Sequence, residues 1–338
     1  MKHHKSSPAI IKEMARLIKN IAKASPHFCD KIAECGILDE CLDIIKTNPN
    51  ECGVYALDMI DSCLKYSTQP KIAADGVIKK GALDALNDCL IKNIANSELS
   101  ASLVQTINLL GQTQPAIVRD IGQIKLYKPV LDAMKIHPNN AKLAINGCEL
   151  LTSLARLDPK YLKEMQQLDA VGIISKAMQA NPDLVKLVHS GAAALKVLAG
   201  EDDLTKALNV LFSFDKYDNK MITEALGLLG NLALITENAQ YFAGKGGVNA
   251  LLNLVHFKCK QQELSPDDIG VLANATRALG RLLYDPKAAL EFGKVNGMDH
   301  LKYLVERFGE EEIVMNAVLD SLENLAKSRL GKIWSPFR

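Results

Sequence analysis

The sequence is poor in aromatic residues and carries almost no net charge. Aromatic side chains make up 5% of the 338 residues, with a single tryptophan, whereas the hydrophobic share reaches 48% and is dominated by leucine, alanine and isoleucine. This composition suits helices packed on helices better than sheets, which favour aromatic and β-branched residues. The formal charge is +1, so no overall field draws the chain toward nucleic acid or an anionic membrane.

Long apolar runs are also missing. The uncharged stretch at residues 225–235 is about half as long as the roughly 20 residues that a bilayer-spanning helix needs. Near the N-terminus the run Ala9-Ile10-Ile11 is too short for the apolar core of a secretory signal. We therefore expect no membrane insertion and no secretion.

The motifs of common enzymes and metal sites are absent. The sequence contains no H-E-x-x-H, no G-x-S-x-G and no paired Cys/His cluster. The segment Gly244-Lys245-Gly246 is not a phosphate-binding loop, because Ala239 stands where the first glycine of that motif should be. None of the eight cysteines forms a C-x-x-C pair, which predicts reduced, buried thiols in an intracellular protein. We expect no enzyme, no cofactor and no metal.

The sequence does contain a recurring pattern of apolar positions. Between Ile222 and Ala233 apolar residues lie three and four apart, as on one face of an α-helix, and this spacing returns between Val248 and Val255. The glycines between these two segments supply a sharp turn, because glycine readily adopts positive φ. The pattern therefore predicts a helix, a glycine turn and a second helix.

The same turn and helix recur along the chain. Equivalent starts lie near residues 36, 81, 125, 169, 202, 246 and 296, as in "GILDECLDII", "GALDALNDCL" and "GGVNALLNLV", and a longer helix follows each of them. Most starts are about 44 residues apart, which is the period of HEAT and armadillo arrays. The start at 202 comes early because the short connecting helix is missing before it, and we expect a change of twist there.

One stretch carries a family resemblance. Residues 228–248, "LLGNLALITENAQYFAGKGGV", are nearly the complete motif of the armadillo repeat, and "LENLAKS" and "LIKNIAKASPHFCDKIAECGIL" match it in part. The chain thus resembles the armadillo-repeat family over about residues 10–328, and "IKNIAKASPHFCDKIAECG" resembles armadillo proteins of the ciliary axoneme. The resemblance implies an all-α fold, a right-handed armadillo-type α-solenoid of about seven three-helix repeats. Residues 1–35 would form a partial N-terminal repeat or cap, residues 36–328 the repeats and residues 329–338 a C-terminal tail.

The resemblance also implies a function. Armadillo proteins bind partner segments in a groove lined by the third helix of each repeat. Carried over by position, the groove would contain Arg16, Asn20, Asp58, Ser62, Glu149, Ser153, Asn231, Asn274, Arg277, Arg281, Asp320 and Asn324, with Asn108 or Leu109 in the repeat that starts at Gly81. This implies a non-catalytic scaffold or adaptor that binds an extended or helical segment of a protein partner within a larger assembly. Its expected location is the cytoplasm and, from the axonemal likeness, the cytoskeleton or cilium.

The alternative is a nuclear transport adaptor of the importin-alpha type. Such adaptors place a tryptophan one turn before the groove asparagine, where it stacks on the lysine side chains of a basic signal. The corresponding positions here include Arg16, Asp58, Glu149 and Asp320, and none is tryptophan. Without stacking of cations on aromatic rings, a receptor for basic signals is the less favoured interpretation.

Two local features leave alternatives open. Arg277 and Arg281 lie one turn apart on "LANATRALGRLLY", which predicts either a site for an acidic or phosphorylated partner segment or a salt bridge to an acidic residue, Asp320 or Glu323, of the next repeat. The long loop at residues 258–268 is either a tolerated insertion or a binding or phosphorylation loop through Ser265-Pro266.

The end of the chain raises a third question. The basic tail "KSRLGKIWSPFR" contains the single tryptophan, Trp334. It is interpreted either as a flexible end or as an anchor for a neighbouring subunit. The first helix likewise lacks the first two helices of its repeat, so it is either a polar cap or the end of a fragment.

Overall fold

Helices account for all of the regular secondary structure that is described. The computed structural model describes residues 7–27, 30–31, 35–181 and 184–328, and within these ranges no strand is present. The all-α prediction is confirmed. The tail with Trp334 lies outside the described residues.

The chain divides into two compact units, Met1–Leu198 and Ala199–Arg338. The α-helices of the first unit are α1 (Pro8–Ala24), α2 (Ile37–Thr47), α3 (Val54–Tyr66), α4 (Pro70–Ile78), α5 (Ala82–Lys92), α6 (Ser97–Thr113), α7 (Ala116–Gln123), α8 (Tyr127–Ile136), α9 (Ala141–Leu157), α10 (Pro159–Gln167), α11 (Ala170–Ala180) and α12 (Val185–Leu198). Those of the second unit are α13 (Glu201–Phe212), α14 (Asn219–Leu232), α15 (Thr236–Gly244), α16 (Gly247–Cys259), α17 (Pro266–Leu283), α18 (Pro286–Lys294), α19 (Gly297–Phe308) and α20 (Glu312–Lys327). A π-helical turn, Pro49–Gly53, precedes α3, and a 3-10 turn, Phe214–Lys216, precedes α14.

A residue with positive φ precedes most of the second helices of the repeats. Six of the seven starts expected from the sequence have this conformation: Gly36, Gly81 and Gly246, with φ of 76°, 76° and 81°, and Lys125, Asp169 and Asn296, with φ of 56°, 58° and 53°. The left-handed conformation ends one helix and directs the chain into the next at a sharp angle. The seventh start, Asp202, lies inside α13, which follows α12 after only two residues.

Equivalent helices of successive repeats pack on one another within each unit. In the first unit the third helices contact each other in the order α1, α3, α6, α9 and α12, while the second helices α2, α5, α8 and α11 form a parallel row of contacts. In the second unit the third helices α14, α17 and α20 pack in order, as do the second helices α13, α16 and α19. Each unit is therefore a stack of helical repeats, in which a repeat buries its apolar surface mainly against its neighbours.

The core of each unit lies between these rows of helices. Leu229 and Leu232 on α14 are fully buried, as the helical spacing predicts, and so are Leu272, Ala275, Leu279 and Leu282 on α17. Six of the seven described cysteines are also buried, and no disulfide joins any of the seven. These thiols act as small apolar side chains within the packing.

Candidate partner-binding site

The residues predicted for the groove all lie on third helices, but at different depths. Arg16, Asn20, Ser153 and Asp320 are exposed, and Asp58, Glu149, Asn274, Arg277, Arg281 and Asn324 are half-buried. Ser62 and Asn231 are buried, with only 4% and 1% of their surface exposed. The structure thus brings most of the predicted set to the surface, separately in the two units.

Ser62 and Asn231 were expected to be accessible to a partner. Both are buried instead, and the side chain of each makes a hydrogen bond within the protein. The hydroxyl of Ser62 donates to the backbone carbonyl of Asp58, 2.7 Å away and one turn earlier on α3. The side-chain oxygen of Asn231 accepts a hydrogen bond from the guanidinium of Arg281, on the next third helix. The side chains of Ser62 and Asn231 are therefore both used within the protein, and Asn231 holds the guanidinium of Arg281.

In the second unit, each of the two arginines predicted for the groove is hydrogen-bonded to an asparagine. Arg277 donates from Nη1 to Oδ1 of Asn274 at 3.2 Å, and Asn274 in turn donates to the carbonyl of Gly270 at 2.9 Å. Arg281 donates from Nη1 to Asn231 and lies next to Gly230. Both arginines are therefore held in place by neutral amides.

The positively charged guanidinium of Arg281 is largely shielded from water. Burial and then the nearby charge of Arg277 lower the pKa of Arg281 to about 10, while Asp320 acts in the opposite direction. Among the described residues, the guanidinium of Arg281 donates to Asn231 of the preceding repeat. The carboxylate of Glu323 instead forms an ion pair with Lys327 at 2.6 Å. The expected salt bridge to Asp320 or Glu323 is thus not formed within 4 Å in the described chain, although Asp320 lies close enough to influence the charge.

A cluster of amides and a carboxylate joins α6 to α9 in the first unit. Asn108 donates from Nδ2 to Oε2 of Glu149 at 2.7 Å and to Oδ1 of Asn146 at 3.2 Å. Gln112 donates to the same oxygen of Glu149 at 3.0 Å. The predicted groove residue Glu149 therefore belongs to a network between two repeats, and this network orients its carboxylate at the surface.

A buried carboxylate on α3 escaped the sequence analysis. Asp61 is 4% exposed and accepts hydrogen bonds from Gln105 and from Thr106, the latter at 2.7 Å, while Lys65 lies 3.9 Å away. Burial raises the pKa of Asp61, and the bond from Thr106 and the charge of Lys65 oppose that change. The sequence carried no signal for this burial, because Asp58 and Asp61 are three residues apart and so lie near the same face of the helix.

Asparagines also connect the loops between second and third helices in the first unit. Asn50 donates from Nδ2 to Oδ1 of Asn93 in the next repeat at 3.1 Å, and Asn140 donates to the hydroxyl of Ser97 at 2.8 Å. These bonds fix the loops to one another at one edge of the stack. The recurrence of asparagine in these loops was the signal that the sequence analysis did not use.

The long loop of the second unit is anchored at both ends. Lys258, which is buried, donates from Nζ to Oδ1 of Asp268 at 2.5 Å and to Oδ1 of Asn219 at 2.7 Å. Ser265 caps α17 through a hydrogen bond from the backbone N–H of Asp268, and Arg307 donates to the carbonyl of Gln261 at 2.6 Å. Residues 260–265 are thus an ordered connection, and their deletion would remove the cap of α17.

No group of three or more potential ligands among histidine, cysteine, aspartate and glutamate occurs in the described ranges. No described helix combines the length and the apolar surface that crossing a bilayer requires.

A comparison with solved structures finds matches at low sequence identity. One similar chain comes from a study of a phosphorylation switch that controls the interaction between cadherin and beta-catenin. That chain is 16% identical to this one, with a TM-score of 0.48. The match covers 91% of this chain and 56% of that chain. An engineered protein is 17% identical with a TM-score of 0.49, covering 94% and 75% of the two chains. This chain therefore spans little more than half the length of the first of these structures. No protein-family model and no curated protein matches the chain.

Proposed function

We propose that this chain is a non-catalytic scaffold of the armadillo-repeat family, which binds a segment of a partner protein along the exposed faces of its third helices. The stacked three-helix repeats, the turn residues and the motif at residues 228–248 support the family assignment. Such stacks present long surfaces on which an extended or helical segment can lie. The candidate surface includes Arg16, Asn20, Asp58, Glu149, Ser153, Asn274, Arg277, Arg281, Asp320 and Asn324.

The observation that carries the proposal is the arginine pair on α17. Two like charges one turn apart on a helix repel each other, and removing a guanidinium from water is costly unless it is well paired. Here the pair is held by the amide oxygens of Asn231 and Asn274, which supply no negative charge. A carboxylate or phosphate on a partner would supply that charge through charge-assisted, bidentate hydrogen bonds. The proposed partner segment is therefore acidic or phosphorylated.

The test is a titration of labelled peptides, followed by fluorescence anisotropy. The probes are a peptide rich in glutamate, the same peptide with one phosphoserine, and a peptide rich in lysine. We expect the two acidic peptides to bind and the lysine-rich peptide not to bind. If the lysine-rich peptide binds best, the chain is better explained as a nuclear transport adaptor.

Variants locate the binding to the arginine pair. Replacing both arginines, Arg277→Glu with Arg281→Glu, should weaken acidic-peptide binding by at least about 2 kcal/mol, the scale of an interface hot spot. Because Arg281 also links α14 to α17, the single variant Arg277→Glu is the cleaner test and should weaken binding while leaving the melting temperature nearly unchanged. Arg156→Glu, on the exposed part of α9, is the matched control. Unchanged binding in the double variant would remove this site from the proposal.

The cellular setting is a further part of the proposal. The likeness of residues 18–36 to axonemal armadillo proteins supports a role in cytoskeletal or ciliary assembly, reached from the cytoplasm. Fluorescence microscopy of the tagged chain in ciliated cells tests this directly. A uniformly nuclear signal would contradict it.

A further inference from the structure

Two histidines of the second unit lie in contact, on helices other than the third helices of the candidate partner-binding surface. His256 is in the last turn of α16 and His300 is in the first turn of α19. These two second helices pack on each other, and the centres of the two imidazole rings are 5.9 Å apart. His256 is exposed and His300 is half-buried, so the pair can be reached from solvent.

The ring nitrogens of this pair are not used by the fold. In the part of the chain that the structure describes, neither ring makes a hydrogen bond or an ion pair within 4 Å, and the contact of each is with the other ring. By contrast, Nε2 of His137 donates to the carbonyl of Ile94 at 2.7 Å, and Nδ1 of His27 lies 4.0 Å from the carboxylate of Asp30. A neutral imidazole without such a partner keeps a nitrogen lone pair for a metal ion.

The distance between the rings suits a shared metal ion. A zinc ion lies about 2.0–2.1 Å from each ligating nitrogen, which places it about 3.2 Å from the centre of each ring. Two rings on one ion therefore have centres about 5–6.4 Å apart, and the observed 5.9 Å falls in this range. The ring planes are 64° apart, so the rings are not stacked face to face. Because His256 is exposed, its ring can turn to direct a nitrogen at the same ion as His300.

Local charges act on this pair from both sides. The last turn of α16 presents backbone carbonyls, whose partial negative charge attracts a cation, although Arg307 donates to one of them, that of Cys259. Burial and the charge of His256 lower the pKa of His300, whereas the carboxylate of Asp299 raises it. The negative charge of Asp299 therefore acts at this ring and would also attract a bound cation.

From this geometry we propose that His256 and His300 together bind one divalent late transition-metal ion, such as Zn²⁺, with water at its remaining coordination positions. Imidazole nitrogen suits Zn²⁺, Ni²⁺ and Cu²⁺, whereas Mg²⁺ and Ca²⁺ prefer oxygen ligands. The bound ion links α16 to α19 and so joins two successive repeats. This inference does not depend on the proposed partner-binding surface.

The test is isothermal titration calorimetry of the full chain with Zn²⁺. Every sample carries His3→Ala with His4→Ala, because these two adjacent histidines can bind metal on their own. We expect one Zn²⁺ per chain and no binding of Mg²⁺. Absence of Zn²⁺ binding overturns the proposal. A ratio of one ion to two chains also overturns it, because the ion would then bridge two copies.

Single variants locate the ion. His256→Ala and His300→Ala should each weaken Zn²⁺ binding at least about tenfold, since the loss of a ligand costs no less than the loss of its outer-shell partner. The matched control is His189→Ala, which removes a lone exposed histidine on α12 and should leave binding unchanged. Circular dichroism confirms that each variant keeps its helicity. If only one of the two variants weakens binding, one histidine binds the ion with some other group and the proposed pair is wrong.

Thermal unfolding tests the link between the repeats. The two rings are held together only in the folded chain, so Zn²⁺ in about tenfold excess over its Kd should raise the melting temperature by about 3 °C. A chelator should reverse the increase, and either histidine variant should abolish it. An increase that persists in both variants would place the metal elsewhere and overturn the proposal.

Discussion

At the scale of single residues, the repeat depends on the backbone conformation at the start of each second helix. Glycine fills this position at residues 36, 81 and 246 at little cost, whereas Lys125, Asp169 and Asn296 adopt the same left-handed conformation with a side chain. For an L-residue that conformation costs roughly 1–2 kcal/mol, less for asparagine and aspartate. At Lys125 the ion pair of its ammonium with Glu164, at 3.1 Å, partly offsets this cost.

The substitution Gly81→Ala tests the conformational argument. A Cβ at this position meets no atom within 4 Å, so any loss of stability arises from the positive φ of 76°. We expect the free energy of unfolding to fall by about 1 kcal/mol, measured by urea denaturation. The matched control is Gly76→Ala, inside α4, where a Cβ also meets nothing and alanine should stabilise the helix by roughly 0.5–1 kcal/mol. Equal effects of the two changes would contradict this explanation.

At the scale of helices, the third helices of the second unit approach closely because small residues lie where they cross. A Cβ on Gly230 would lie 3.3 Å from the Cα of Ala278, and a Cβ on Gly280 would lie 2.9 Å from the Cα of Ser321. The second contact involves backbone, which cannot move aside as a flexible side chain can. Glycine therefore sets the distance between α17 and α20.

Gly280→Ala tests that contact. We expect a loss of about 1–3 kcal/mol, because the added methyl group overpacks a site closed by the backbone of α20. Gly270→Ala is the control on the same helix, where a Cβ meets no atom within 4 Å and the gain in helix propensity should stabilise the protein slightly. Thermal unfolding of both variants measures the difference, and a neutral Gly280→Ala would show that α20 moves freely.

The ion pair between Lys258 and Asp268 links the end of α16 to the start of α17. Burial alone would raise the pKa of Asp268, but hydrogen bonds from Lys258, Ser265 and Asn219 outweigh it and hold that pKa well below the ordinary value of 3.8. Because the folded pKa is the lower one, the charged carboxylate adds stability above about pH 4 and loses that contribution as the pH falls through the folded pKa.

Asp268→Asn tests this dependence on pH. At pH 7 the variant leaves the ammonium of Lys258 buried without its counter-ion, and we expect a loss of about 2–3 kcal/mol, less than for a fully buried pair because Asp268 is partly exposed. Urea unfolding should be measured at several pH values. The difference in the free energy of unfolding between wild type and variant should become smaller as the pH falls. A difference that stays constant from pH 7 to about pH 2 would contradict the pKa assignment.

At the scale of the whole molecule, the chain behaves as two compact units rather than one core. The boundary, between Leu198 and Ala199, falls where the short first helix of a repeat is missing before α13. In a stack of repeats each repeat contacts only its neighbours, so stability is approximately a sum of local terms. A destabilising substitution in one unit should therefore have little effect on the stability of the other unit.

Leu229→Ala in α14 tests this expectation. Leu229 is fully buried, so its truncation should cost about 2–5 kcal/mol. Hydrogen exchange measured by mass spectrometry should speed up within residues 199–328 and remain nearly unchanged within residues 35–181. Equal acceleration along the chain would indicate a single cooperative core.

The sequence by itself determined the helices, their order and most of the turns, because these features follow from local physics. Apolar spacing predicted α14 and α17 with their buried leucines, and the glycines predicted turns with positive φ. The aligned starts at Lys125, Asp169 and Asn296 also have positive φ, which the sequence did not predict because no glycine is present there. The resemblance to the armadillo repeat also implied a partner surface on the third helices, and that surface stays a prediction.

Only the tertiary structure decided how the polar residues of those helices are used. Arg281 contacts Asn231, 50 residues earlier, rather than an acid of the following repeat, and Asp61 is buried beneath α6 while Asp58 stays near the surface. The reason is geometric. Helical periodicity specifies which residues share a face of one helix, but the rotation and spacing of neighbouring helices depend on contacts such as that of Gly280 with Ser321, which no single repeat contains.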